Sequence, residues 1–84
     1  MMKEYYFYIA ECADGTLYSG QTNDLSKRLE EHNSGKGAKY TANRKPIKIV
    51  YSEKCASRSA AMKREAEVKK LSRKEKLELV GRRF

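Results

Sequence analysis

The 84-residue chain has no apolar stretch able to cross a bilayer: its longest uninterrupted run, Tyr5 to Ala10, falls far short of the roughly 20 residues a spanning helix needs. No charged-then-apolar signal segment opens it, so a soluble, cytoplasmic protein without a membrane partner is expected. Cysteine is scarce. Cys12 and Cys55 are the only two and show no CxxC spacing, which excludes a zinc-finger ligand set and a disulfide framework and leaves two reduced, partly buried thiols. Gly35-Lys36-Gly37 occurs without the GxxxxGK[ST] spacing, so a phosphate-cradling P-loop is absent. Acidic residues are in deficit, 11 against 19 Lys plus Arg, for a net charge of +8. That balance favours a polyanionic partner: nucleic acid first, DNA before RNA, with acidic lipid surfaces second. A chain this short buries only about 60% of its unfolded surface. It reads as one domain over residues 1–84 with a small core, and a monomer is favoured.

What is present sorts into short elements. Residues 4 to about 11 (EYYFYIAE) are aromatic and β-branched, as a largely buried strand requires. Asp14-Gly15 supplies turn chemistry before a second strand, Leu17 to Gln21, which makes an antiparallel hairpin with Tyr8 and Tyr18 on neighbouring strands. Gly20 ends that hairpin where a ligand or another backbone could approach closely. Thr22-Asn23-Asp24 starts a helix over about 24–34 that stops at Gly35. From Asn33 to Pro46 the chain is glycine-rich and basic, and an exposed loop is expected. Alternation after Pro46 predicts a third strand, 47–51. Ser57 is placed to cap a helix to about Lys70, and Ser72 with Glu75 forms a capping box for a last helix through Val80. A helix-turn-helix in this tail is the competing reading, against which the Leu71-Ser72 break is short and lacks glycine.

Several of these positions carry chemistry. On a 3.6-residue repeat, Leu25, Arg28, Leu29 and His32 form one stripe, so an arginine and a histidine lie at the buried edge and need partners. The bland reading is a snorkelling arginine and a hydrogen-bonded histidine. On the helix after Ser57, Glu65 falls in the middle of a stripe with Ala61, Met62 and Val68, whereas Glu67 faces solvent with Lys63 and Lys70. An inward carboxylate must be paired, protonated or metal-bound. A salt bridge between Glu65 and Arg28 is the structural alternative. Lys36, Lys39, Arg44 and Lys45 around Tyr40 suit a surface that neutralises phosphates and stacks an unpaired base. Tyrosine and histidine move protons, arginine grips phosphate oxygens and a carboxylate fixes a divalent metal. Together these are the parts needed to cut a phosphodiester.

The order Tyr6-Phe7-Tyr8, Tyr18-Ser19-Gly20, Arg28, His32 and Glu65 resembles the GIY-YIG nuclease domain over nearly the whole chain. The run from Asp24 to Thr41 is similar to the short, stand-alone UPF0213 branch of that superfamily. The resemblance implies an α/β fold of the α+β kind: a three-stranded antiparallel sheet flanked by helices. It also implies metal-dependent hydrolysis of DNA. Glu65 would then be the single protein ligand to a divalent ion, magnesium or manganese, and Arg28 would neutralise charge on the non-bridging oxygens. Tyr8 and Tyr18 would line the attacking side, one of them orienting or deprotonating water, with its proton affinity lowered by Arg28 and the metal. His32 would take or position the tyrosine's proton.

The chain departs from the family pattern at identifiable places. Tyr6, Phe7 and Ser19 replace the residues of the family's name. Gln21, which could orient water beside Gly20, stands where DNA-repair members carry a lysine. Leu77 occupies the place of an asparagine that several members carry about twelve residues beyond the metal glutamate. Two functions follow. One is a metal-dependent endonuclease without strong sequence preference, because a bare basic domain offers mostly phosphate contacts. The other is a non-catalytic nucleic-acid-binding module on the same scaffold.

Overall fold

The computed structural model describes residues 4–81. The outermost residues of the expected 1–84 domain lie outside the described ones. Three strands, β1 (Tyr5–Glu11), β2 (Leu17–Thr22) and β3 (Lys48–Cys55), form an antiparallel sheet in the order β2-β1-β3. The aromatic run takes the centre because it is apolar on both faces: Phe7, Tyr8, Ile9 and Ala10 are all fully buried. The hairpin turns at Gly15, whose φ of 84° suits glycine, while Asp14 accepts hydrogen bonds from the backbone and hydroxyl of Thr16.

β3 is longer than the alternation of 47–51 suggested. Its second half pairs with the start of β1, placing Glu53 opposite Phe7 and Cys55 opposite Tyr5, and a register shift at Ile9/Ala10 absorbs the irregularity. Cross-strand neighbours share a face. Tyr8 and Ala10 therefore point to one side, with Cys12 and Ile47, and Phe7 and Ile9 to the other, with Val68.

Helix α1 (Leu25–Asn33) starts where read, with the Asp24 carboxylate accepting from the Lys27 N–H at 3.0 Å, and packs Leu25 and Leu29 on the Tyr8 face. Segment 33–46 is not the open loop expected. Its middle forms a short helix, α2 (Lys39–Ala42), in which Thr41 is fully buried. The segment folds back because the Asn33 amide bonds both the N–H and the C=O of Ile47, joining its two ends.

The tail forms α3 (Arg58–Lys69), capped by Ser57, and α4 (Arg73–Gly81), opened by the reciprocal Ser72–Glu75 bonds of a capping box. Leu71, Leu79 and Val80 pack with Val68 on the Phe7 face, so these helices cover the sheet and do not stand apart as a helix-turn-helix. The buried face of α3 centres on Ala61 and Val68, which leaves Met62 49% exposed instead of on the inner stripe. Both cysteines are free, Cys12 buried and Cys55 half-buried. Among the described residues no helix is long and apolar enough to cross a membrane.

Candidate active site

Burial of Arg28 and His32 against the sheet brings the sequence-spaced residues together. His32 is 0% exposed, and its two ring nitrogens are both engaged: Nε2 lies 2.8 Å from the Tyr8 hydroxyl and Nδ1 lies 2.7 Å from Thr41 Oγ1. Arg28 Nε donates to the Tyr8 hydroxyl at 3.4 Å, and its Nη1 donates to Glu31 at 3.1 Å. The Glu65–Arg28 salt bridge, the structural alternative to a metal site, is not formed. Arg28 takes the nearer i+3 carboxylate, and Glu65 pairs with Lys69 at 2.7 Å, one turn along α3.

Two glycines make this packing possible. A Cβ on Gly20 would lie 2.6 Å from the Tyr8 hydroxyl, so the close approach anticipated at Gly20 is made by Tyr8 itself. A Cβ on Gly37 would lie 2.5 Å from His32 Nδ1. Neither Gly37 nor Thr41 figured among the site residues read from sequence. Their signal was present as small residues beside a buried-edge histidine, but only the fold of segment 33–46 brings them to it.

Tyr18 is half-buried beside this network. Its ring meets His32 edge-on at 5.4 Å and stacks on Tyr40 at 5.8 Å. The Tyr18 hydroxyl has no hydrogen-bond partner among the described residues, and nearby Lys69 holds its proton more tightly than usual, chiefly through its bond to Glu65. Glu65 is near enough to Tyr8 to be felt at its hydroxyl, and its side chain is 21% exposed. The site thus has a buried neutral end at His32 and an open charged end at Glu65.

Protonation follows from burial. Burial pushes the Tyr8 phenol above its ordinary value, outweighing the opposing pull of Arg28, so the anticipated lowering does not occur at this tyrosine in the free protein. Burial, reinforced by Arg28, pushes His32 below its ordinary 6.5, keeping it neutral near pH 7. For Arg28, partial burial favours loss of the proton, but the hydrogen bonds to Tyr8 and Glu31 more than compensate and its value rises.

The basic segment divides. Lys36, Lys39 and Lys45 are exposed. Arg44 is committed within the protein: its Nε pairs with Asp14 at 3.1 Å, its Nη1 donates to Tyr40 O, and its guanidinium lies 4.2 Å from the centre of the Tyr40 ring. Tyr40, 40% exposed, therefore carries both Tyr18 and Arg44 and is not a bare stacking platform. The register puts Gln21 opposite Phe7, on the sheet face away from Tyr8.

A divalent ion would be served here by one carboxylate. Among the described residues no three His, Cys, Asp or Glu converge into a cage. Glu65 is accessible and already attracts a cation, the Lys69 ammonium. A lone, part-exposed carboxylate suits a hard ion that retains most of its waters, so the residues present fit magnesium or manganese.

Comparison with known proteins identifies the family and the fold. The family model of the GIY-YIG catalytic domain matches residues 4–78. The chain belongs to the GIY-YIG family. Within that nuclease superfamily it is similar to a UPF0213 protein of Syntrophus aciditrophicus, 56% identical over 94% of this chain and 92% of that one. It is also similar to UPF0213 protein NP_0776A of Natronomonas pharaonis, 49% identical over 96% and 95%. Two solution NMR structures share the fold. The UPF0213 protein BH0048 of Bacillus halodurans is 47% identical with a TM-score of 0.60, covering 93% of this chain and 83% of that one. Protein EF2693 of E. faecalis is 48% identical with a TM-score of 0.64, covering 95% and 85%. The three-stranded antiparallel sheet with flanking helices is thus the GIY-YIG fold in its UPF0213 form.

Proposed function

We propose that this GIY-YIG domain is a divalent-metal-dependent nuclease that hydrolyses phosphodiesters in DNA without strong sequence preference. The observation that carries the reading is the convergence of Arg28, Tyr8, Tyr18 and His32, with the part-exposed carboxylate of Glu65 near enough to be felt at the Tyr8 hydroxyl.

Arg28 grips the scissile phosphate. Tyr8 and Glu31 hold its Nε and Nη1, and Nη2, without an acceptor among the described residues, is free to meet a non-bridging oxygen whose charge grows in the transition state. Glu65 would hold the divalent ion, which when bound supplies Lewis acidity toward the phosphate and the leaving oxygen. Of the two tyrosines, Tyr18 is the one whose hydroxyl can reach an attacking water, because Tyr8 is 0% exposed and engaged on both sides. Tyr8 and His32 are then supports, consistent with their neutral state at pH 7. Lys36, Lys39 and Lys45 supply sequence-independent phosphate contacts. Lys69 must release Glu65 before a metal can bind there. With its lysine more than half in solvent, an i,i+4 pair of this kind is worth only about 0.3–0.5 kcal/mol, so the exchange is cheap.

The binding-only alternative draws on Gln21 and Leu77, which stand where family members carry a lysine and an asparagine, and on the basic loop; the register that turns Gln21 to the face away from Tyr8 favours it. Incubating the protein with labelled single-stranded, duplex and flapped DNA in magnesium, manganese or EDTA separates the two. Products that require metal and vanish in Glu65→Ala are expected. Tight binding with no product in any condition would establish the binding module instead.

A further inference from the structure

The hydroxyl of Thr41 has one hydrogen, and the Ala38 carbonyl accepts it at 3.0 Å. Toward His32 Nδ1, 2.7 Å away, Thr41 Oγ1 can then act only as acceptor. Nδ1 therefore carries hydrogen, and a neutral ring presents a bare Nε2 to the Tyr8 hydroxyl, which donates to it at 2.8 Å. With its own hydrogen committed, the Tyr8 oxygen has lone pairs only for the incoming Arg28 Nε–H. Each bond sets the direction of the next: Arg28 to Tyr8, Tyr8 to His32, His32 to Thr41, Thr41 to Ala38.

The other tautomer does not fit. It would aim two N–H groups at the Tyr8 oxygen and leave the phenol hydrogen with no acceptor among the described residues, in a site where Tyr8, His32 and Thr41 are all 0% exposed. Imidazole in water favours hydrogen on Nε2, so the protein must reverse that preference, and the hydrogen bond at the second nitrogen is what decides it. Gly37 admits the ring to this position, since a Cβ there would strike Nδ1.

We infer that Thr41, through helix α2, is a positioning residue that holds His32 in the Nδ1–H tautomer and thereby orients the Tyr8 hydroxyl and the Arg28 guanidinium. Segment 33–46 on this account belongs to the construction of the site as well as to its basic surface. The inference rests on the nuclease reading only for what Arg28 then does to a phosphate. The tautomer itself is independent of substrate.

His32 is the only histidine in the chain, so imidazole ¹⁵N–¹H correlations report on it alone. In the wild-type protein slightly above pH 7, Nδ1 is expected to appear as the protonated nitrogen and Nε2 as the bare one. Thr41→Val, near in size but without the hydroxyl, should move the ring toward Nε2–H, and Thr41→Ser should restore the wild-type pattern. Thr41→Ala serves in place of the valine variant if the latter does not fold. A wild-type ring protonated on Nε2 would overturn the inference, as would a folded variant lacking the hydroxyl whose tautomer is unchanged. On DNA, Thr41→Val should lower kcat about 10-fold or more with KM little changed, the range seen when a supporting hydrogen bond is removed. A shifted tautomer with unaltered kcat would refute the positioning role. If the wild-type protein cleaves nothing, the proposed function fails while the tautomer measurement still decides this inference.

Discussion

The two faces of the sheet each hold a network of tyrosine and arginine with a carboxylate, and they are built to opposite ends. On the Phe7 face, Glu53 accepts from Arg64 Nε at 2.9 Å and from Nη2 at 3.0 Å, receives the Tyr51 hydroxyl, and leaves Arg64 Nη1 for Glu67. One guanidinium meets two carboxylates, so charge is answered by charge. Arg64 consequently holds its proton more tightly than usual, chiefly through the bond to Glu53. On the Tyr8 face, Arg28 has one carboxylate at its rim and otherwise leans on a neutral phenol and a neutral imidazole, while the nearby acid, Glu65, pairs with an exposed lysine. The first network ties α3 to β3 and engages all three nitrogens of its guanidinium with carboxylates. The second is satisfied where it is buried and leaves Arg28 Nη2 without an acceptor among the described residues, as the proposed phosphate contact requires.

If that contrast is right, substitutions should separate stability from activity. The largest effect is expected from Glu65→Gln: cleavage falls by at least about 10²-fold, whereas the urea midpoint moves less than in Glu53→Gln, since the single i,i+4 pair lost has its ammonium largely in solvent. An unfolding midpoint lowered as far as in Glu53 variants would erase the distinction. Gly20→Ala attacks the open network at its tightest point. Its Cβ would meet the Tyr8 hydroxyl at 2.6 Å and Cζ at 2.8 Å, so a loss of about 1–3 kcal/mol in urea unfolding should accompany reduced cleavage. Glu53→Gln should do the reverse of Glu65→Gln. Half-exposed as the Arg64 pair is, its removal should cost about 1–2 kcal/mol after allowance for solvent screening, with kcat per folded molecule preserved.

Acidification should break the networks in different windows. His32 lies below its ordinary 6.5 in the folded state, so the unfolded chain takes up that proton first. Its contribution to stability is complete above pH 6.5 and is lost as pH falls through the depressed folded value. Glu53 is partly buried, which alone would raise it, but Arg64 and Tyr51 hold it below its ordinary 4.5; its contribution is complete above that value and lost as pH falls through the lower folded one. Urea midpoints across neutral and acid pH should therefore lose the upper step in His32→Gln and the lower step in Glu53→Gln. If both variants flatten the same region, the networks are not energetically separate. The smallest effect belongs to the surface. Lys36→Ala and Lys39→Ala should each reduce the salt dependence of duplex binding by roughly 0.9 in slope, with no change in the unfolding midpoint.

Much of this was legible in the residues alone because it depends on local geometry. The aromatic run of β1, the Asp14-Gly15 turn, the Asp24 and Ser57 caps and the Ser72–Glu75 box act within a few residues, and each element begins where those signals stand. The 3.6-residue period likewise put Arg28 and His32 on the buried edge of α1. Segment 33–46 was misread as open because its glycines and charges look like those of any solvated loop. Its order comes from Asn33 reaching Ile47 and Thr41 reaching His32, contacts between residues nine or more apart. Arg64 was missed for the same reason, since its partner Glu53 is defined by strand register and not by α3.

Most elements, the family and the types of chemical group follow from the residues read in order, because backbone periodicity and capping are properties of neighbouring residues, while α2 and the full length of β3 do not. Which groups meet was left to the packed fold. It gave Arg28 to Tyr8 and Glu31 instead of Glu65, enclosed Tyr8 against Gly20 while leaving Tyr18 part-exposed, and made Gly37 and Thr41 the wall and anchor of His32. Partners, exposure and proton affinity are set by packing across a sheet, and packing joins residues that the chain keeps far apart.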